Sequence, residues 1–217
     1  MGYGTHYPVA AHVDHPTNPD QNHYLKPHTR ELMSVRYQRG YYEFLSGAAP
    51  RSAAEIVPIV RDYVDPRSVV DVECGTGGWL AEFNRHGAQE IMGLDGPWVP
   101  KAQLLIPQDR FQVVELGEPI RLGRRFDLVV SLEVAEHLPA ARAETFVGSL
   151  VGLGDVILFS AAIPYQGGEN HLNEQWPDYW ARLFGKGLSG IKYSVSTCLG
   201  WVNRVVPISV KAMALEA

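Results

Sequence analysis

The residues predict an α/β fold: a doubly wound, mostly parallel sheet with helices on both faces and antiparallel strands at its C-terminal edge. Three observations predict it. Short β-branched runs alternate with helical stretches between residues 68 and 161, and such alternation builds parallel sheets through crossover helices. One run, VVDV at 69–72, is followed by a glycine turn, Gly75-Thr76-Gly77-Gly78. The next short run closes on an acid, Asp95, about 20 residues past that turn. Strand, glycine turn, helix and strand-terminal acid is the order in which an open sheet builds a nucleoside-shaped crevice at its carboxyl edge.

Composition sets the outer bounds. A chain of 217 residues, 46% hydrophobic, can fill one sizeable core. A net charge of -5 and a pI near 5.9 argue against a nucleic-acid surface, which wants a basic face. No apolar run reaches the roughly 20 residues that span a bilayer. The first residues have neither a basic nor an apolar signal region, so a cytoplasmic location is expected. Two cysteines, Cys74 and Cys198, make no disulfide framework. The oligomeric state is not readable.

Residues 1–30 are polar, aperiodic and rich in Pro and Asn, and hold five of the eight histidines. Their spacing matches no standard ligand pattern, so a flexible arm is expected ahead of a domain over 31–217. From Glu31 the text turns helical, with Leu32, Val35, Tyr41, Phe44 and Leu45 at helical intervals. A second helix is predicted from Ser52, its N-cap, with Glu55 completing a capping box. Its stripe is Ile56, Val57, Val60 and Tyr63, and Asp65-Pro66 ends it. Strands are predicted over 68–72, 91–94, 111–116, 126–131 and 155–161, and helices over 78–86 and 140–151. The run at 126–131, FDLVVS, is apolar throughout and so central. Two β-like runs, 191–198 and 205–213, are the expected antiparallel edge pair.

Which ligand suits the crevice? A dinucleotide turn needs a third small residue for close helix packing, and Leu80 stands there. Asp71, just before the turn, would repel a pyrophosphate. An acid there suits a cationic ligand, and Asp95 suits ribose hydroxyls. S-adenosylmethionine has a sulfonium, an ammonium and a ribose, and no phosphate.

The stretch VVDVECGTGGWL (69–80) resembles motif I of class I S-adenosylmethionine-dependent methyltransferases, written D-x-G-C-G-x-G. GLDG (93–96) resembles their acidic second motif. FDLVVSLEVAEHLP (126–139) resembles the fourth-strand motif of the subgroup with the ubiquinone-pathway O-methyltransferases. FSAAIPYQGGENHLNEQWPDYW (159–180) is similar to a bacterial and phage group of methyltransferase-domain proteins. The resemblance implies a Rossmann-like fold and an enzyme that methylates an oxygen or nitrogen of a small-molecule acceptor. It implies that Asp71, Glu73, Cys74, Gly75 and Gly77 line the methionine part of the cofactor. Asp95 would hold the ribose, Gly96 and Pro97 would border the adenine, and Glu115 and Leu116 would flank it. Leu132 and Glu133 would face the methyl group or the acceptor.

Two departures stand out. Glu73 occupies a family glycine position. Like charges a few ångströms apart cost on the order of 1–4 kcal/mol, depending on effective dielectric. A positive φ there adds roughly 1 kcal/mol of strain. The side chain either opposes the cofactor carboxylate or points away; in the first case a non-catalytic binding module is the alternative function. The chain also leaves the related group's pattern after Phe184.

Glu133, Glu136 and His137 form E-x-x-E-H. On a helix these positions share a face, and with His171 they could hold a divalent cation. The expectation adopted is no metal: Glu133 faces the pocket, while Glu136 and His137 cap the turn before Leu138-Pro139. His137 and His171 are the candidate general bases, since a neutral imidazole suits removal of a hydroxyl proton. With Glu133 they form the expected catalytic set. His171 and Asn173 are expected to touch the acceptor, and Trp176 and Trp180 to lie in the core. The nucleophile elbow G-x-S-x-G is absent.

Overall fold

The computed structural model describes residues 39–168, 170–187 and 194–196, with side chains over 49–168 and 170–186. The predicted arm and the run at 205–213 lie outside the described residues. Six strands form one sheet: β1 (Ser68–Val72), β2 (Glu90–Asp95), β3 (Phe111–Val113), β4 (Leu128–Leu132), β5 (Ile157–Ser160) and β6 (Ser194–Ser196). Their order is β3-β2-β1-β4-β5-β6, and every pair is parallel. The chain thus reverses direction across the sheet between β1 and β4. That switch point is where such sheets open a crevice at their carboxyl ends.

Helices cover both faces, as the sequence predicts. Helix α1 (Arg39–Arg61) and α2 (Gly78–Arg85) lie on one side, and α3 (Ala143–Leu153) and α4 (Pro177–Gly187) on the other. Strand alternation sorts the core accordingly. Val69 packs with Val57, Val60, Leu80 and Phe83. Val70 and Val72 pack with Phe146, Leu150, Trp180 and Phe184. Asp127 ties β1 to β4: its Oδ2 accepts the amides of Arg67 and Ser68, both at 2.9 Å. No helix among the described residues is long and apolar enough to cross a membrane.

Two expectations need correction. One helix, not two, runs over Arg39–Arg61, straight through Pro50, Ser52 and Pro58. Each proline costs about 3 kcal/mol in a helix interior. Buried Ile56, Val57 and Val60 each return roughly 1.5–3 kcal/mol, so packing overrides the capping signal. At the C-terminal edge, Ser194–Ser196 pairs with β5 in parallel, Phe159 opposite Val195. The strand therefore continues the crossover pattern where an antiparallel partner was expected.

Candidate active site

The glycine turn hangs on the end of β2. The Leu94 carbonyl accepts the amides of Glu73 (2.8 Å) and Cys74 (3.1 Å). Holding both forces the chain to bend sharply, and Glu73, Gly75 and Gly77 take φ of 65°, 55° and 84°. At Gly77 a Cβ would come within 2.9 Å of Ile106. Glu73 alone pays for this left-handed turn with a side chain. Cys74 is buried, and its Sγ fits because Gly93 lacks a Cβ that would lie 2.7 Å away. Burial pushes the Cys74 thiol up, so it is an inert packing group.

Asp95 organises this end. Its Oδ2 accepts the Gly75 amide at 2.8 Å, and its Oδ1 accepts the Gly96 amide at 2.6 Å. The Trp98 side chain also bonds to it. The Trp98 ring lies so close over Gly96 that a Cβ there would be 2.1 Å from it. Burial raises the Asp95 carboxyl to about 6, against the pull of those donors. Asp71 is only 3% exposed, and its Oδ2 has no hydrogen-bond partner. Burial, then the Asp95 charge, raises it to about 8. The Glu73 carboxyl is raised well above its ordinary value by burial, then by Asp95, Glu136 and Asp71. Glu73 is half-buried at this turn. Of the other expected cofactor contacts, Leu116 is buried with Leu94 in the core, Leu132 is half-buried at the end of β4, and Glu115 is exposed.

The other end of the crevice starts at β4. Pairing of Leu132 with Ser160 brings the next residue, Glu133, against β5. Glu133 takes φ 57°, and its amide donates to the Ser160 carbonyl and hydroxyl, each at 3.1 Å. The Ser160 hydroxyl donates to Glu133 Oε1 at 2.7 Å, and Gln166 Nε2 donates to Oε2 at 3.3 Å. The helical face expected for E-x-x-E-H does not form: after left-handed Glu133 there is a single 3-10 turn, Ala135–His137.

That turn nevertheless gathers its side chains. Glu136 is 0% exposed, and its carboxyl has only the backbone amides of its own residue and of Ala162 beside it, outside normal hydrogen-bond geometry. Burial, then the Glu133 charge, raises it to about 8. Its backbone carbonyl, by contrast, accepts the amides of Leu172 (2.8 Å) and Asn173 (3.0 Å), which pins the following loop over it. The loop brings His171 to His137, ring centroids 5.1 Å apart and nearly perpendicular at 79°. His137 Nδ1 donates to the Asn170 carbonyl at 3.3 Å. His171 Nδ1 donates to Glu174 Oε1 at 2.9 Å. Glu174 is itself fixed by the amides of Tyr165 (3.0 Å) and Gly167 (2.9 Å). The His171 bond holds the Glu174 carboxyl below its ordinary value, and burial holds His137 below its own. Asn173 is buried within this wall. Trp180 is core as expected, but Trp176 is 55% exposed, because α4 starts just after it and turns Trp180 inward instead.

Thus His137 and His171 come together with Glu136, while Glu133 is held by Ser160 and Gln166 next to Glu136; Asp71, Glu73, Gly75 and Asp95 gather at the glycine turn, and Glu115 is exposed. Three groups escaped the sequence reading: Ser160, Trp98, and Glu174 as the partner of His171. Only Glu174 left a signal, an acid three residues after a histidine.

The profile of the methyltransferase-domain family matches residues 33–183. The chain belongs to that family. Among solved structures, this methyltransferase-domain chain is similar to human N-acetylserotonin methyltransferase in complex with SAM, at 14% identity and TM-score 0.50 over 72% of this chain and 50% of that one. It is similar to TnmH at 18% identity and TM-score 0.50, over 76% of this chain and 56% of that one. An O-methyltransferase family protein from Burkholderia thailandensis matches at 22% identity and TM-score 0.40, over 58% of this chain and 41% of that one. The aligned part therefore spans about half of these structures. At such identities the likeness establishes the Rossmann-like fold. No curated protein matches the chain.

Proposed function

We propose that residues 31–217 form a cytoplasmic enzyme that transfers a methyl group from S-adenosylmethionine to an oxygen or nitrogen of a small-molecule acceptor, a saccharide or natural product among the candidates. One observation carries this reading: a buried Asp71 oxygen without a partner, beside a turn whose Gly75 amide Asp95 holds. A crowd of carboxyls with raised proton affinity is a site waiting for positive charge. A sulfonium and an ammonium supply that charge, and the same acids oppose a phosphate.

In this reading Asp71, Glu73, Cys74, Gly75 and Gly77 hold the methionine part. Asp95 and Gly96 hold the ribose, with Asp95 exchanging its Trp98 bond for a hydroxyl. Leu116 and Leu132 supply apolar walls to the adenine and the methyl; Glu115 borders the adenine only at its exposed rim. The cofactor supplies a methyl carbon already activated by sulfonium: an acceptor lone pair displaces the sulfur, which keeps the C–S electron pair. The protein aligns the partners and accepts the acceptor's proton. His137, kept neutral by burial, and His171, oriented by Glu174, are the proton acceptors, and Glu133 orients the acceptor.

Glu73 favours a second reading, a binding module of the same fold that does not take the cofactor. Its left-handed φ and three acidic neighbours oppose a ligand carboxylate. Calorimetry of the full chain with S-adenosylmethionine separates the two. Micromolar binding supports the enzyme. No binding at millimolar cofactor, restored by Glu73→Gly, supports the module.

A further inference from the structure

We propose that Trp98 determines which ligands enter the nucleoside end of the crevice: its indole stands in for a ribose at Asp95, and only a ligand that replaces this bond displaces it. The proposal rests on the reading that an adenosyl group occupies this end; the indole contact itself does not. Three observations carry it. First, the Trp98 side chain bonds to the Asp95 carboxylate. An indole has one polar hydrogen, on Nε1, so Trp98 is the donor. The carboxylate's other donors are the Gly75 and Gly96 amides, at 2.8 and 2.6 Å. Those belong to the backbone, so the indole is the one donor of the three that a side-chain rotation releases. Second, the indole is laid against Gly96, where a Cβ would be 2.1 Å from the ring. Gly96 is not among the left-handed glycines, so the ring, not the backbone, requires glycine there. Third, the backbone around Trp98 is fixed. Pro97 and Pro100 lock φ on both sides of Trp98-Val99. Val99 is buried, and further on the Leu105 amide donates to the Thr76 carbonyl at 2.8 Å. The freedom left is that of the half-buried indole about its own side-chain bonds.

The exchange selects the ligand. Binding breaks a charge-assisted bond, and such a bond is among the stronger ones a buried carboxylate makes. A ribose replaces it with hydroxyl donors. A bare nucleobase offers Asp95 no hydroxyl, so it leaves the indole in place. The closed indole also lowers the affinity of every nucleoside by the fraction of molecules in which it is open. Removing the Nε1–H while keeping an aromatic ring should therefore strengthen binding. A residue that served only as a stacking wall would show the reverse.

The test uses the full chain and methylthioadenosine, which carries the adenine and ribose but no carboxylate for Glu73 to oppose. Proton–nitrogen correlation spectra resolve the indole signals of the five tryptophans, and Trp98→Phe assigns its own by loss. Without ligand, Asp95→Asn should move the Trp98 signal. Methylthioadenosine should move it too, and adenine should not. By calorimetry Trp98→Phe should bind methylthioadenosine about tenfold more tightly than the wild type. A Trp98 signal unmoved by Asp95→Asn, or by saturating methylthioadenosine, overturns the proposal. So does a shift caused by adenine, or equal or weaker binding in Trp98→Phe. Should Asp95→Asn fail to fold, the ligand titrations and Trp98→Phe decide. Methylthioadenosine bound by neither form overturns the proposal together with the nucleoside reading. Methylthioadenosine bound while S-adenosylmethionine is refused sinks the methyl-transfer reading at Glu73 and leaves the role of Trp98 supported.

Discussion

At the end of the crevice proposed for the cofactor, the parts that matter are peptide groups. Asp95 reaches back 20 residues to the Gly75 amide, and the Leu94 carbonyl holds the two amides before it. At the end proposed for the acceptor, the parts are side chains held by a loop. Ser160 reaches Glu133 across 27 residues, and Asn170 reaches His137 across 33. A backbone turn tolerates few sequences, because φ must be positive and side chains are excluded. A wall of side chains tolerates many, so it can be respecified for another acceptor without disturbing the turn. Variants that act on one end and spare the other test this division.

Trp180 offers the largest effect. It is 1% exposed and packs on Phe159 and Tyr179, with ring centroids 5.4 and 4.9 Å apart. Trp180→Ala should cost about 3–5 kcal/mol in urea unfolding. Because α4 follows the acceptor loop, hydrogen exchange should rise first around 165–175 while the Gly75 and Cys74 amides stay protected. Equal exchange at both ends would mean that the crevice behaves as one unit.

The opposite variant is Asp95→Asn. Charge-assisted hydrogen bonds contribute about 1.5–3 kcal/mol each. Cofactor affinity should fall roughly 10–100-fold by calorimetry, while hydrogen exchange of the Leu172 and Asn173 amides, bonded to the Glu136 carbonyl, stays unchanged. Faster exchange of those amides would show that the two ends are coupled.

This division also explains what the sequence disclosed. The alternation of strands and helices, the turn and Asp95 were legible because each is specified by a few neighbouring residues. E-x-x-E-H was visible as letters, but its geometry was not: a helical face was expected, and Glu133 at φ 57° breaks it. The bond from Ser160 that holds Glu133 depends on the β4–β5 register, which no local pattern encodes. The length of α1 was misjudged for the same reason, since packing between helices decided it against the prolines.

Acidity tests both ends together, and the sign follows from the raised carboxyls. Asp71 and Glu136 are raised to about 8 and Asp95 to about 6. The folded state binds these protons more tightly than the unfolded chain does. Their contribution is therefore complete below about pH 4 and is lost as pH rises through 6 to 8. Thermal unfolding of the ligand-free protein should show stability falling over that window. Asp71→Asn should flatten the fall by up to about 1.4 kcal/mol per pH unit. S-adenosylmethionine should flatten the share due to Asp71 and Asp95 and leave the share due to Glu136.

The smallest effect comes from Glu73, which sits at φ 65° and feels the charges of Asp95, Glu136 and Asp71. Glu73→Gly relieves left-handed strain of roughly 1 kcal/mol, though glycine's extra freedom when unfolded returns some of it. Glu73→Gln keeps the strain and removes only the charge. If the acid acts by repelling the cofactor carboxylate, both variants should tighten S-adenosylmethionine binding about tenfold, and only the glycine should raise Tm. If instead the acid attracts the sulfonium, Glu73→Gln should weaken S-adenosylmethionine while leaving the uncharged product S-adenosylhomocysteine unaffected. The ratio of the two affinities thus decides which group of the ligand Glu73 meets, and whether its place in the turn is a defect or a specificity device.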